Sequence, residues 1–93
     1  MNKIVNKQSF IIQESFVIYM PVYSEIIKIA YQYGSPTIWY LHDVDDASGV
    51  LVARHFRAVG TCSAFEVESI CQHIETIIDA VSGFVWHIFE VPS

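Results

Sequence analysis

Ninety-three residues carry ten carboxylates, only five Lys and Arg, and two cysteines. The length fits one domain, 1–93, and 53% apolar against 16% charged residues excludes a disordered tail. A net charge of -5 excludes a general DNA- or RNA-coating protein, whose affinity comes from many Lys and Arg contacts to phosphates.

In chain order, Val5 to Met20 favours extended structure, and Phe16-Val17-Ile18-Tyr19-Met20 is a β-branched and aromatic run closed by Pro21. Both faces of that strand are apolar, so it is predicted to be central or covered by a neighbouring subunit. Ile27, Ile29, Tyr31 and Tyr33 alternate with Lys28 and Gln32, which predicts a half-buried strand over 26–33. Gly34-Ser35-Pro36 is turn chemistry. Thr37 to Val44 then places Trp39 and Leu41 on one face and Ile38, Tyr40 and His42 on the other. A polar loop, 43–49, leads to a strand over Val50–Val59, so 26–59 is expected to form an antiparallel meander.

Two readings compete for 63–83. Ser63 with Glu66 has capping-box spacing, and Val67, Ile70, Cys71, Ile74, Ile77, Ile78 and Val81 recur every three or four residues. Taken alone, that predicts an amphipathic helix over 64–81. The rival has a short helix near 64–71, a strand from His73, and a hairpin through Val81-Ser82-Gly83 into a last strand at Phe84-Val85-Trp86. The expected fold is mainly β, a single antiparallel sheet or barrel-like domain of about six strands with the short helix. The alternative is α+β with the full helix.

The longest apolar run, from Phe16, is broken by Pro21 and Ser24, short of the about 20 residues a membrane-spanning helix needs. Polar residues from Gln8 to Ser15 interrupt any signal-peptide core, so a cytoplasmic protein is expected. Cys62 and Cys71 read as buried thiols rather than a disulfide framework. Residues 1–42 carry a net charge of +1 and 43–93 a net of -6, so the second half presents the acidic surface. A domain of this size buries only roughly 60–65% of its chain's surface. Some apolar surface is therefore left for an interface, and self-association or a protein partner is expected.

Four blocks carry a family resemblance. They are Pro21 with Ser24-Glu25-Ile26-Ile27, then Tyr33-Gly34-Ser35-Pro36-Thr37-Ile38-Trp39, then His55-Phe56-Arg57-Ala58-Val59-Gly60-Thr61, and Gly83-Phe84-Val85-Trp86-His87-Ile88-Phe89-Glu90. In that order and spacing the chain, from about Ser9 to Glu90, resembles a family of short phage and prophage proteins catalogued as a domain of unknown function. The last block is the most specific. The resemblance implies a mainly antiparallel β domain in a bacterial cytoplasm, and makes His73 to Ile78 a strand paired with Phe84 to Glu90. It supplies no catalytic residues. The chain departs from the pattern between Thr61 and His73.

Chemical motifs are sparse. An EF-hand loop opening at Asp43 keeps Asp45 but has Ala47, Ser48 and Arg54 where an Asp, a Gly and a Glu are wanted. Cys62, Cys71, His73, His55 and His87 show no close metal-ligand spacing, so no metal and no cofactor are expected. The chain has no phosphate-binding loop, nucleophile elbow, zinc-protease or dinucleotide motif, and no catalytic residue is assigned. A non-enzymatic protein is expected. Trp39, His55, Arg57 and His87 are candidate ligand-binding residues, able to form an aromatic pocket with a cation at its edge that stacks a base and holds a phosphate. With so few cations, such a site would combine Arg54 or Arg57 from several subunits. Tyr19, Tyr23, Tyr31 and Tyr33 are candidate protein-interface anchors.

The reading that follows is a homo-oligomeric phage-type binding protein without general nucleic-acid or membrane affinity. It would act in counter-defence or host manipulation by blocking a host protein or sequestering a small nucleotide signal. The alternative is a structural or assembly accessory of a phage with no small ligand.

Overall fold

From Ser15 to Met20 every even-numbered side chain is buried and every odd one exposed, the period-two signature of a strand with one covered face. A computed structural model describes residues 2–44, 49–66 and 71–92, and in it this strand is β2 (Ser15–Pro21). The others are β1 (Lys3–Ser9), β3 (Glu25–Gln32), β4 (Ser35–Asp43), β5 (Leu51–Gly60), β6 (Gln72–Ile78) and β7 (Val85–Val91). Mainly antiparallel β structure is thus as expected, with seven strands rather than six. They form two open sheets, ordered β1-β4-β3 and β2-β5-β7-β6, in place of a single sheet or barrel.

Both sheets feed one core. Phe16, Ile18 and Met20 from β2, Phe56 and Ala58 from β5, Ile77 from β6 and Ile88 from β7 meet Ile29 from β3 and Ile38 and Tyr40 from β4. The Cα extents of 43 × 33 × 17 Å give a thin dimension that suits two sheets about 10 Å apart.

The predicted meander over 26–59 holds only in its first half. Tyr33 and Gly34, at φ 50° and 79°, close a two-residue turn between β3 and β4, the type I′ geometry that suits strand twist. β4 is already flanked by β1 and β3, so the chain crosses to the other sheet, where β5 inserts between β2 and β7. The acidic loop residues 45–48, and with them the calcium question, lie outside the described residues.

No helix forms among the described residues, and none is therefore long and apolar enough to cross a membrane. The full helix over 64–81 is overturned by β6, which pairs with β7 from Gln72 to Ile78. Its helix-like spacing has a physical source. The β6–β7 register shifts between His73 and Glu75, and the added residue lets Ile74 and Ile77, three apart, both reach the core. Of the predicted short helix over 64–71, residues 64–66 are irregular and 67–70 lie outside the described residues. The capping box does not form at its start: the Ser63 N–H donates to the Gly60 carbonyl at 3.2 Å in a turn.

A second register shift, between Ile26 and Lys28, corrects the faces of β3. Ile26 and Ile29 pack inward while Ile27 is exposed, and Tyr33 sits in the turn. The strand expected from Val5 to Met20 is two strands, because residues 10–14 carry the chain from one sheet to the other. β2 is not central: it is the edge of its sheet, with Val17 and Tyr19 exposed on its outer face in the single chain.

Half-buried charge fastens the two sheets at one end of the core. The Arg54 guanidinium donates from Nε and Nη2 to both oxygens of Glu90, at 2.6 and 2.7 Å. Its Nη1 donates to the Ser24 carbonyl at 2.6 Å. Ser24 lies in the connection that carries the chain from β2 across to β3, so one guanidinium ties β5, β7 and the crossover.

Candidate functional site

Because Phe56, Ala58 and Ile88 point into the core, alternation sends His55 and Arg57 of β5 and His87 and Phe89 of β7 to the solvent side of the four-stranded sheet. Register brings them together. Arg57 lies opposite Phe89, His55 opposite Val91, and His87 opposite Val59 on one side and Thr76 of β6 on the other. Three of the four predicted ligand residues, His55, Arg57 and His87, therefore share one face.

The fourth does not join them. Trp39 is on β4, turned to the outer side of the other sheet, so the single pocket expected from all four residues does not form within one chain. Its surroundings are cationic: Lys7 and Lys28 stand opposite it on the flanking strands. The Lys28 ammonium lies 5.9 Å from the ring centroid, and Lys7 donates to the Gln32 side chain at 2.7 Å.

His73, weighed in the sequence only as a metal ligand, and Thr61 and Thr76, which it did not single out, complete the histidine face. His73 Nε2 lies 3.0 Å from the Thr76 hydroxyl, which lies 2.9 Å from His87 Nδ1. His87 Nε2 in turn is 2.9 Å from the Thr61 hydroxyl. A hydroxyl has a single proton to donate, so at least one of the two imidazoles presents an N–H to Thr76. This fixes the His87 ring through both nitrogens. Phe89 lies between Phe65, tilted against it at 5.1 Å, and His73, roughly perpendicular to it at 5.3 Å. The strand from His73 implied by the family resemblance, paired with the last strand, is what places His73 and Thr76 beside His87.

Arg57 lines two adjoining clefts of about 270 Å³ each, one with His55, Val17 and Val91, the other with Glu14, Ser63 and Phe65. Each is smaller than the roughly 300–1,000 Å³ of pockets that bury a drug-sized ligand. Arg54 is already engaged by Glu90. Arg57 is the arginine that β5 places on the outer face of its sheet, where it too has an interaction of its own. Among the described residues no three His, Cys, Asp or Glu side chains come together as a metal site.

The tyrosines do not form one patch. Tyr23 and Tyr33 are 91% and 97% exposed but lie beyond opposite ends of β3, ten residues or about 33 Å apart along an extended chain. Tyr19 is exposed on the outer face of β2. Tyr31 is not a surface anchor: it packs against the core, and its phenol oxygen accepts the Trp86 indole N–H. Burial, and then the nearby Asp79 charge, raise its ionisation above the ordinary tyrosine range.

Comparison with curated proteins and with solved structures finds no match. A family model described as a domain of unknown function (DUF7352) matches residues 1–93, and the chain belongs to that family.

Proposed function

We propose that the protein is a non-enzymatic, homo-oligomeric binding protein of the phage type. It would work in the cytoplasm of a bacterial host, in counter-defence or host manipulation, by retaining a small nucleotide on the outer face of the four-stranded sheet. The observation that carries this reading is the placement of Arg57 opposite Phe89 on that face, with His55 and His87 one cross-strand step to either side. A guanidinium and the His55 imidazole are phosphate donors, the His87 ring being held by Thr61 and Thr76 at their border, and an adjacent aromatic ring is a stacking surface for a base. Two clefts that are each too small for a whole ligand, joined at Arg57, favour a site completed by a second subunit. The competing mechanism, capture of a host protein by the tyrosines, is disfavoured by their separation along β3, since binding energy concentrates in clustered anchors.

The test is a comparison of wild type with Arg57→Ala against a panel of mono- and dinucleotides by calorimetry. Loss of a charge-assisted phosphate contact is expected to weaken binding by about tenfold or more, with the circular dichroism spectrum unchanged. Equal affinity in the two proteins, or no binding by wild type to any member of the panel, rejects the nucleotide site.

A further inference from the structure

We infer that the open edge of β2 is a self-pairing site, at which β2 of a second copy adds antiparallel to β2 of the first. This deepens the homo-oligomer of the proposed function by naming its contact. Two open sheets leave four edges, β1 and β3 on one and β2 and β6 on the other. Three of them carry features that discourage pairing with another chain. β1 has Lys3 and Lys7; β3 has Glu25, Lys28 and a register shift; β6 has Glu75 and a register shift. β2 has no charge in Ser15–Pro21, and its register with β5 is unbroken.

The backbone of this edge is also oriented for pairing. The Val22 N–H donates to Val50, and Glu14 accepts from the Ala58 N–H, so even-numbered positions bond to β5. Ser15, Val17 and Tyr19 therefore turn their N–H and C=O groups to the open side. The Gln8 side-chain amide confirms the direction, reaching the Tyr19 carbonyl from that side at 2.9 Å. It holds one acceptor that an incoming strand would take. A cleft of about 630 Å³ runs along the same edge, from Gln8 to Tyr19.

The occupant is a second copy because the strand is complementary to itself. A two-fold axis at Ile18 sets Val17 opposite Tyr19 and Phe16 opposite Met20, with outer faces meeting outer and inner meeting inner. Val17 and Tyr19, 43% and 62% exposed, would form the aromatic–β-branched cross-strand pairs that stabilise sheets. Pro21 has no N–H to offer, which ends the pairing and fixes its length. The resulting eight-stranded sheet joins the two histidine faces into one surface, with the two β5 strands three strand spacings, about 14 Å, apart.

The experiment is sedimentation equilibrium of the full chain as wild type, Val17→Lys, Tyr19→Lys and, on the opposite edge, Ile78→Lys. Wild type and Ile78→Lys are expected at twice the 10.6 kDa chain mass. Val17→Lys and Tyr19→Lys are expected at the chain mass itself, with association weakened by about a hundredfold or more. A wild-type oligomer that both β2 substitutions leave intact overturns the edge and leaves the homo-oligomer standing; a wild-type monomer overturns both. Hydrogen exchange of the wild type needs no substitution. The Val17 and Tyr19 amides gain protection as concentration rises if the edge pairs, and exchange at a concentration-independent rate if it does not.

Discussion

Arg54 offers the sharpest energetic test of the fold. Its guanidinium joins both Glu90 oxygens and the Ser24 carbonyl, with the two charged side chains each 21% exposed. Removing it in Arg54→Ala strands a carboxylate at the end of the core and leaves the carbonyl of buried Ser24 without that donor. A fully buried pair broken this way costs about 3–5 kcal/mol, and an exposed one about 0–1. One-fifth exposure places this pair between them, at about 2–3 kcal/mol, out of a total stability of roughly 5–14 kcal/mol for a domain of this length. In urea denaturation the midpoint of Arg54→Ala should fall accordingly, with the slope unchanged. A cycle with Glu90→Ala should give a coupling of about 1–2 kcal/mol between the two residues. A loss under about 0.5 kcal/mol, the range of ordinary surface substitutions, would refute the claim that this ion pair fastens the crossover.

Ile88→Ala removes a side chain with no exposed surface, and should cost about 2–5 kcal/mol by denaturation; a cost near zero would mean that the sheets do not share this core. Tyr33→Asn relieves a bulky residue at φ 50° and should stabilise the β3–β4 turn by about 0.5–1 kcal/mol without affecting ligand retention. Asp79 is held below the ordinary carboxylate range by the Val81 N–H, then by Ser82. Its contribution is therefore present above the unfolded-state value and lost as pH falls through the lowered one. Wild type should exceed Asp79→Ala in stability at neutral pH and converge with it in acid; a constant difference would contradict this. Tyr31 has the opposite sign, its contribution present at neutral pH and lost as alkali ionises the raised phenol. In a tyrosinate absorbance titration, Tyr31→Phe should remove a phenol that ionises above the ordinary tyrosine range.

Strand positions could be read from composition and turn residues, and the shared face of Ile38 and Tyr40 in β4 from alternation, whereas in β2 both faces are apolar and the buried one was not legible. Misreadings occurred where a residue was inserted. The shifts at Ile26/Lys28 and His73/Glu75 change inward spacing from two to three, so β6 imitates a helix and Ile27 imitates a core residue. Alternation within a strand also says nothing about which sheet the strand joins. It correctly placed Trp39 opposite Ile38 in facing, yet could not separate it from His55, Arg57 and His87. The Arg54–Glu90 pair was hidden for the same reason, its partners lying on different strands 36 positions apart.

The central claim is an oligomer that holds a small phosphate-bearing ligand, and native mass spectrometry of the untagged protein from a bacterial host tests both parts at once. The account predicts a multiple of the 10.6 kDa chain carrying additional mass of nucleotide size that denaturation releases. An oligomer of bare polypeptide mass contradicts the ligand, and a bare monomer contradicts the oligomer as well.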